Sequence, residues 1–108
     1  MEDIKTVLDD RKKTHGDFKD HAKSTQYLMA VLMHGKNWHT LTPEYQEALH
    51  MICHKMARIT TGNPYHRDHV TDIIGYATLM DRFLDSLVAK LEDSGKAINT
   101  EAANDHDT

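Results

Sequence analysis

The sequence predicts an all-α protein, a four-helix antiparallel bundle with one short N-terminal helix and three longer ones. Apolar residues recur at steps of three and four along four segments, which is the spacing of amphipathic helices. Glycine, proline and capping residues separate these segments at positions 14–17, 35–43 and 61–64. We therefore expect four helices joined by short connections.

Length and composition predict one domain. The 108 residues, 39% of them apolar, suffice for one modest core. We expect a helical domain over residues 1–92 and a disordered tail over residues 93–108, because the tail has almost nothing to bury. The net charge of -4 arises from interspersed acidic and basic residues, and this pattern disfavours a nucleic-acid surface.

Cysteine usage and the first residues predict a cytoplasmic, reduced protein. Cys53 has no second cysteine for an internal disulfide. No apolar stretch follows the acidic opening Met1-Glu2-Asp3, so we expect neither a secretory signal nor a membrane span.

The first two helices are predicted from a break at Gly16. Residues 2–13 place Ile4, Val7 and Leu8 on one face of the first helix. Gly16 tolerates a left-handed backbone, and Asp17 can cap the free amides of the second helix. That helix ends at Gly35, and its predicted core face comprises Phe18, Ala22, Thr25, Leu28, Met29 and Leu32.

The third helix has the best-defined start. Thr42 is a hydroxyl N-cap, Pro43 occupies the first turn, and Glu44 lies near the positive end of the helix dipole. Trp38 is expected to be a buried core residue in the preceding connection. The helix should end at positions 61–64, and its predicted stripe is Tyr45, Ala48, Leu49, Ile52, Met56 and Ile59.

The fourth helix is predicted to begin at His66 or Arg67. Its apolar residues are spaced by three and four positions in strict alternation, and this spacing is a heptad pattern. This regularity suits a bundle core or an interface in a homo-oligomer, and we expect the latter. The heptad residues are Val70, Ile73, Ala77, Met80, Leu84, Leu87 and Leu91.

Charged residues along the third and fourth helices predict a polar site between them. Antiparallel helices joined near Gly62 bring Lys55 level with Asp72, and we expect these two to form an ion pair. Such a pair either fixes helix register or belongs to a binding site that also includes Arg58. Gly75 costs on the order of 1 kcal/mol relative to alanine within a helix, and indicates close approach by a ligand or another helix.

These cations lie beside Met51 and Tyr76, which suits a phosphate joined to a base or sugar. We therefore expect a nucleotide-like or other small anionic ligand, bound without turnover. His15, Asp17 and His21 surround the helix break and can face a ligand, although capping alone explains Asp17. The predicted ligand-binding residues are Lys55, Arg58, Asp72, Tyr76, Met51, Gly75, His15 and Asp17.

Nine histidines include two pairs with the spacing of zinc or nickel ligands, His50 with His54 and His66 with His69. Helical projection places His50 and His54 on an outer face, about 160° from Ile52. We therefore interpret them as surface residues and predict no catalytic residue.

Three segments resemble a family of short, uncharacterised proteins of tailed phages and prophages. They are THGDF at 14–18, EALHMICHKMARI at 47–59 and DIIGYA at 72–77. The resemblance covers roughly residues 6–84. It implies phage origin and an all-helical domain, but it transfers no activity.

The pattern is also similar to phage nucleotide-modification-associated domains and to nucleoside triphosphate pyrophosphatases of the MazG type. The latter hold magnesium with Glu-x-x-Glu on one helix and Glu-x-x-Asp on the next. Glu44 and Glu47 match the first pair, whereas the second falls on His69 and Asp72. Glu47 and Asp72 are offset by roughly 12 Å along the helices, so a metal cluster would require another subunit.

These observations favour a phage accessory protein of the host cytoplasm that binds its ligand without cofactor. By analogy with other small phage proteins, it would sequester a host immune signal as an anti-defence protein. One alternative is a protein-interaction module whose acidic surface binds and inhibits a host enzyme. The partner would then be a host defence protein. Another alternative is a divergent pyrophosphatase, which alone would need magnesium. We expect neither a membrane nor a nucleic acid as partner.

Overall fold

Four α-helices form the fold in a computed structural model, which describes residues 3–95. The helices are α1 (Ile4–His15), α2 (Phe18–Met33), α3 (Pro43–Thr61) and α4 (Arg67–Asp93), with a short 3-10 helix at Trp38–Thr40. Residues 3–95 contain no strand, so the predicted all-α fold with four helices is confirmed. The expected tail lies outside the described residues from position 96 onwards. Within them, no helix is both long and apolar enough to cross a bilayer.

Capping residues set the helix starts as the sequence predicts. The Lys19 amide donates to the Asp17 carboxylate at 3.2 Å, and the Tyr45 amide donates to the Thr42 hydroxyl at 3.4 Å. The helix α1 begins and ends two residues later than predicted, because Asp3 caps it and it continues to Gly16. Local side-chain chemistry therefore fixes where α2 and α3 begin.

The helix α3 is central and packs antiparallel to both α2 and α4. Tyr45 near its start contacts Phe83 late in α4, with ring centroids 5.8 Å apart. On its other side His54 stacks on His21 of α2 at 5.2 Å. The helix α1 packs against α2 and α3. The main packing surface of both α2 and α4 is therefore α3.

A small apolar core lies where α2, α3 and their connection meet. It comprises Met29, Trp38 and Cys53, against which Leu28, Leu41 and Leu49 pack. Only 8% of Trp38 is exposed, which confirms its predicted burial.

The predicted core face of α2 is wrong at both ends. Phe18 is 75% exposed because it lies at the rim of an open pocket, and Leu32 is also exposed. His21 is buried although it is not on the predicted face, and the predicted Thr25 is buried beside it, where its hydroxyl donates to the His21 carbonyl at 2.8 Å. This bond lets a polar residue face α3 without an unsatisfied hydroxyl.

Only part of the α4 heptad contacts α3. Ile73, Met80 and Leu91 are half-buried, whereas Val70, Ala77, Leu84 and Leu87 are exposed. The reason is geometric, since α4 contacts α3 through the side that carries Asp72 and Phe83. Val70, Ala77 and Leu84 lie on a flank of that side. The helix α3 therefore covers only one edge of the heptad stripe.

The turn after α1 crosses the turn after α3 at backbone contact distance. A Cβ atom on Gly16 would collide with the carbonyl oxygen of Thr61, and one on Gly62 would lie 2.5 Å from the Gly16 nitrogen. Gly16 also has a φ of 86°, in the left-handed region that favours glycine. Glycine is required at both positions.

Polar contacts with one carbonyl connect the end of α1 to the turn after α3 and to α4. The Asn63 amide donates to the Thr14 carbonyl at 3.0 Å, and Nε2 of the buried His69 lies 3.2 Å from that oxygen. The end of α1 is therefore tied to the start of α4.

Gly75 differs from these two glycines, because a Cβ atom there would meet nothing within 4 Å. No close approach within the described chain accounts for it. An approach by a ligand or a second molecule stays a prediction.

Alanine substitutions should separate these two kinds of glycine. Gly16→Ala adds a left-handed backbone penalty to a backbone collision, so we expect it to lower the free energy of unfolding by at least about 2 kcal/mol. Gly75→Ala should raise it by about 0.5–1 kcal/mol, because it improves helix propensity in open space. Urea unfolding followed by circular dichroism measures both, and equal effects would contradict the crossing.

Candidate functional site

The predicted ion pair between α3 and α4 is confirmed. Lys55 Nζ lies 3.0 Å from Asp72 Oδ2, and Lys55 is only 9% exposed. The hydrogen bond from Lys55 lowers the pKa of Asp72 below its ordinary value. The Lys55 charge is therefore already compensated within the chain.

An open pocket of about 380 Å³ lies between α1, the start of α2 and the second half of α3. We call it the Arg58 pocket. Its basic and imidazole side chains come from all three helices and are Arg11, Lys12, His15, His21, His54 and Arg58.

Arg58 has a charge that the fold does not compensate. Its side chain is half-buried, and its Nε atom is buried without a hydrogen-bond partner. None of the ion pairs among residues 3–95 includes it. Burial, followed by the charge of Arg11, lowers the pKa of Arg58. A desolvated guanidinium beside a second cation gains most from a bound anion.

The imidazoles of the pocket are held in the neutral form. Burial and then the charge of Arg58 lower the pKa values of His15 and His54 to about 4. The same two causes lower the pKa of His21, whose Nδ1 atom has no hydrogen-bond partner. At neutral pH these rings can each donate one hydrogen bond and add no charge.

Two carboxylates also line the pocket, but neither pairs with Arg58. Asp17 caps α2 and lies 3.9 Å from Lys12, and Asp9 is exposed on α1. The charge balance of the lining is positive, because Arg11, Lys12 and Arg58 outnumber these two acids.

The structure brings together only some of the predicted ligand-binding residues. His15, Asp17 and Arg58 line the Arg58 pocket. Asp72, Gly75 and Tyr76 line a separate, shallow groove on α4. Lys55 and the half-buried Met51 line neither. Ligand contact by the groove residues stays a prediction.

Sequence reasoning places His21 beside the helix break, where it can face a ligand, but missed His54, Arg11 and Lys12. The prediction that His54 occupies an outer face is wrong, because α2 covers that side of α3 and His21 stacks on the ring. A usable sequence feature existed, since His54 and Arg58 are four residues apart and share one line of α3. The pattern could not show that α1 and α2 also reach that line.

The carboxylates expected for a metal cluster do not assemble within this chain. Glu44 and Glu47 line an apolar pocket beside Phe83, whereas Asp72 pairs with Lys55 and His69 contacts Thr14. Across residues 3–95, no three histidine, cysteine, aspartate or glutamate side chains are placed to hold a metal ion. Burial raises the pKa of the Cys53 thiol, which keeps it protonated and unreactive.

Substitutions at the two residues of the ion pair should lower the free energy of unfolding by unequal amounts. Asp72→Asn leaves the buried Lys55 ammonium without its carboxylate, so we expect a loss of about 1–3 kcal/mol in the free energy of unfolding. Lys55→Met retains the apolar stem and removes the charge, and should cost less than about 1 kcal/mol. Urea unfolding at pH 7 tests the order, and a larger loss for Lys55→Met would contradict it.

The pocket histidines should make stability depend on pH. A folded-state pKa near 4 lies below the ordinary value of 6.5, so the unfolded chain binds protons that the folded chain excludes. This contribution is fully present above pH 6.5 and is lost as the pH falls from 6.5 towards 4. We expect the melting temperature to fall between pH 7 and pH 5, and His15→Asn to reduce that fall. The exposed His39→Asn serves as the control, and an unchanged slope in His15→Asn would contradict the prediction.

Comparison with known proteins identifies a family without a described activity. No match is found among curated proteins or among solved structures. A family model described as a domain of unknown function, DUF6378, matches residues 2–84, which include α1, α2, α3 and most of α4. Because the match covers well over half of the sequence, the chain belongs to the DUF6378 family.

Proposed function

We propose that this protein binds a small, nucleotide-like anion in the Arg58 pocket without turning it over. The observation that carries the proposal is the half-buried Arg58, whose guanidinium lacks an acidic partner within the described residues. Burying an unpaired charge is costly, and a bound phosphate would supply the missing partner. Arginine also offers the bidentate geometry that phosphate oxygens accept.

The surrounding imidazoles suit the same ligand. Neutral His15 and His54 can donate hydrogen bonds to phosphate oxygens around the guanidinium. A dianion would also favour their charged forms and raise their pKa values, because it offsets the repulsion by Arg58. Binding should therefore take up protons, most strongly at mildly acidic pH.

The rim of the pocket favours a ligand with an aromatic part. Phe18 is 75% exposed and Leu8 is 58% exposed, and both line the Arg58 pocket beside its basic side chains. A base can stack on the Phe18 ring while its phosphate reaches Arg58. The volume of about 380 Å³ lies within the range of small-molecule pockets, roughly 300–1,000 Å³.

The biological setting is proposed from the resemblance to tailed-phage proteins. In that setting the chain is an accessory protein in the host cytoplasm, where it sequesters a nucleotide immune signal as an anti-defence protein. A binder that holds its ligand without turnover suits sequestration, because the protein then removes signal in proportion to its own concentration.

Ligand binding is tested by isothermal titration calorimetry with inorganic phosphate, AMP, ADP, ADP-ribose and cyclic dinucleotides. We expect at least one nucleotide to bind without magnesium, and Arg58→Gln to weaken it by about tenfold or more, because a charge-assisted bidentate contact is lost. The matched control is Arg67→Gln, which removes the same charge from an exposed position on α4. Equal losses in both variants would contradict a site at Arg58.

Two further measurements test the chemistry of the ligand. Phe18→Ala should weaken nucleotide binding more than phosphate binding if the ring stacks on a base. Titrations at pH 6 in buffers of different ionisation enthalpy should show proton uptake in the wild type and less in His15→Asn.

The other two proposed functions give different outcomes in the same titrations. Magnesium-dependent release of pyrophosphate from a nucleoside triphosphate would favour the divergent pyrophosphatase. The absence of binding by every compound, with Arg58→Gln as stable as the wild type, would favour an interaction module that inhibits a host enzyme.

A further inference from the structure

One face of the α3–α4 pair is apolar and exposed. Along α4 it presents Val70, Ile74, Ala77, Leu84 and Val88, which lie within about 40° of one line at 100° per residue. Ile74 is 61% exposed, and Val70 is 47% exposed. These side chains are on a flank of α4, since Asp72 and Phe83 make its contacts with α3.

Helix geometry places an exposed residue of α3 on the same face. The apolar pocket that includes Glu47 and Leu79 marks the opposite face of the pair. Leu79 lies about 180° from the exposed line of α4, and Met56 lies about 180° from Glu47 on α3. Met56, which is 38% exposed, therefore lies beside the exposed line of α4. We call this surface, formed by Met56 and the five α4 residues, the bare face.

No other described helix covers the bare face. Arg58 lies within about 20° of Glu47 on α3, and α1 reaches Arg58 through Leu8 and Arg11 at the pocket. The helix α1 is therefore on the opposite side of α3. Residues 96–108 include one large apolar side chain, Ile98, which is too little to replace a packed helix.

The extent of the bare face suits a second copy of this chain. Residues 70–88 of α4 span about 27 Å, and two packed helices are about 18–20 Å wide. The projected area is on the order of 500 Å², in the upper range for the largest apolar patch of a monomer. It is smaller than the roughly 800 Å² that a standard interface buries per partner, so we expect a weak dimer that forms only at high protein concentration.

We infer that two copies of the chain pack their bare faces together as a symmetric dimer. A two-fold interface uses the same patch on both copies, so one apolar face suffices. Asp81 lies on the exposed line of α4 between Ala77 and Leu84. An axis through it would oppose two carboxylates, so we expect the two-fold axis to lie away from Asp81.

Sedimentation equilibrium of the full chain tests the dimer over about 1–300 µM protein. We expect a mass of twice 12.4 kDa at the upper end. Ile74→Lys and Met56→Lys should each weaken association by about tenfold or more, because they bury a lysine in an apolar interface. Both residues are exposed in the single chain, and circular dichroism should show unchanged helix content.

The control is Leu79→Lys, which places the same charge at a 56% exposed leucine on the opposite face of α4. It should leave association unchanged, as should Arg58→Gln, since the dimer does not depend on the ligand. A monomeric wild type at the highest concentration would overturn the proposal. So would dissociation by Leu79→Lys without dissociation by Ile74→Lys.

Discussion

The backbone crossing of two turns at Gly16 and Gly62 is the constraint on which the rest of the structure depends. Side chains at either glycine would force the turns apart, and Gly16 adds a left-handed backbone that other residues rarely adopt. The crossing fixes the end of α1 against the end of α3. Because α1 supplies Arg11, Lys12 and His15, the same contact builds the Arg58 pocket.

Lys55 and Arg58 lie about one turn apart on α3, but only Lys55 has an acidic partner within the described residues. Lys55 is buried against Asp72 and contributes to the register of α3 and α4. Arg58 lies about 60° further round α3, beside cations and neutral imidazoles, and neither carboxylate of the pocket pairs with it. A structural ion pair and a candidate anion site therefore occupy neighbouring turns of one helix.

The central position of α3 explains both the small core and the exposed apolar surface. A helix flanked by two others buries apolar side chains along two contact lines and leaves two faces open. The helix α1 covers one of these faces and encloses the polar pocket. The other retains Met56 and the exposed line of α4, and this asymmetry is why we assign ligand binding to one face and self-association to the other.

The sequence by itself determined the local structure and the one contact that helix periodicity can measure. The helix starts are set within one turn by the capping residues Asp17 and Thr42 and by Pro43. Lys55 contacts Asp72 because the two residues lie at similar distances from the connection between α3 and α4. Only the tertiary structure decided which face of α2 meets α3, and so buried His21 and left Phe18 at the pocket rim. That choice depends on the crossing of two turns 46 residues apart, and no periodic pattern encodes a contact between backbones.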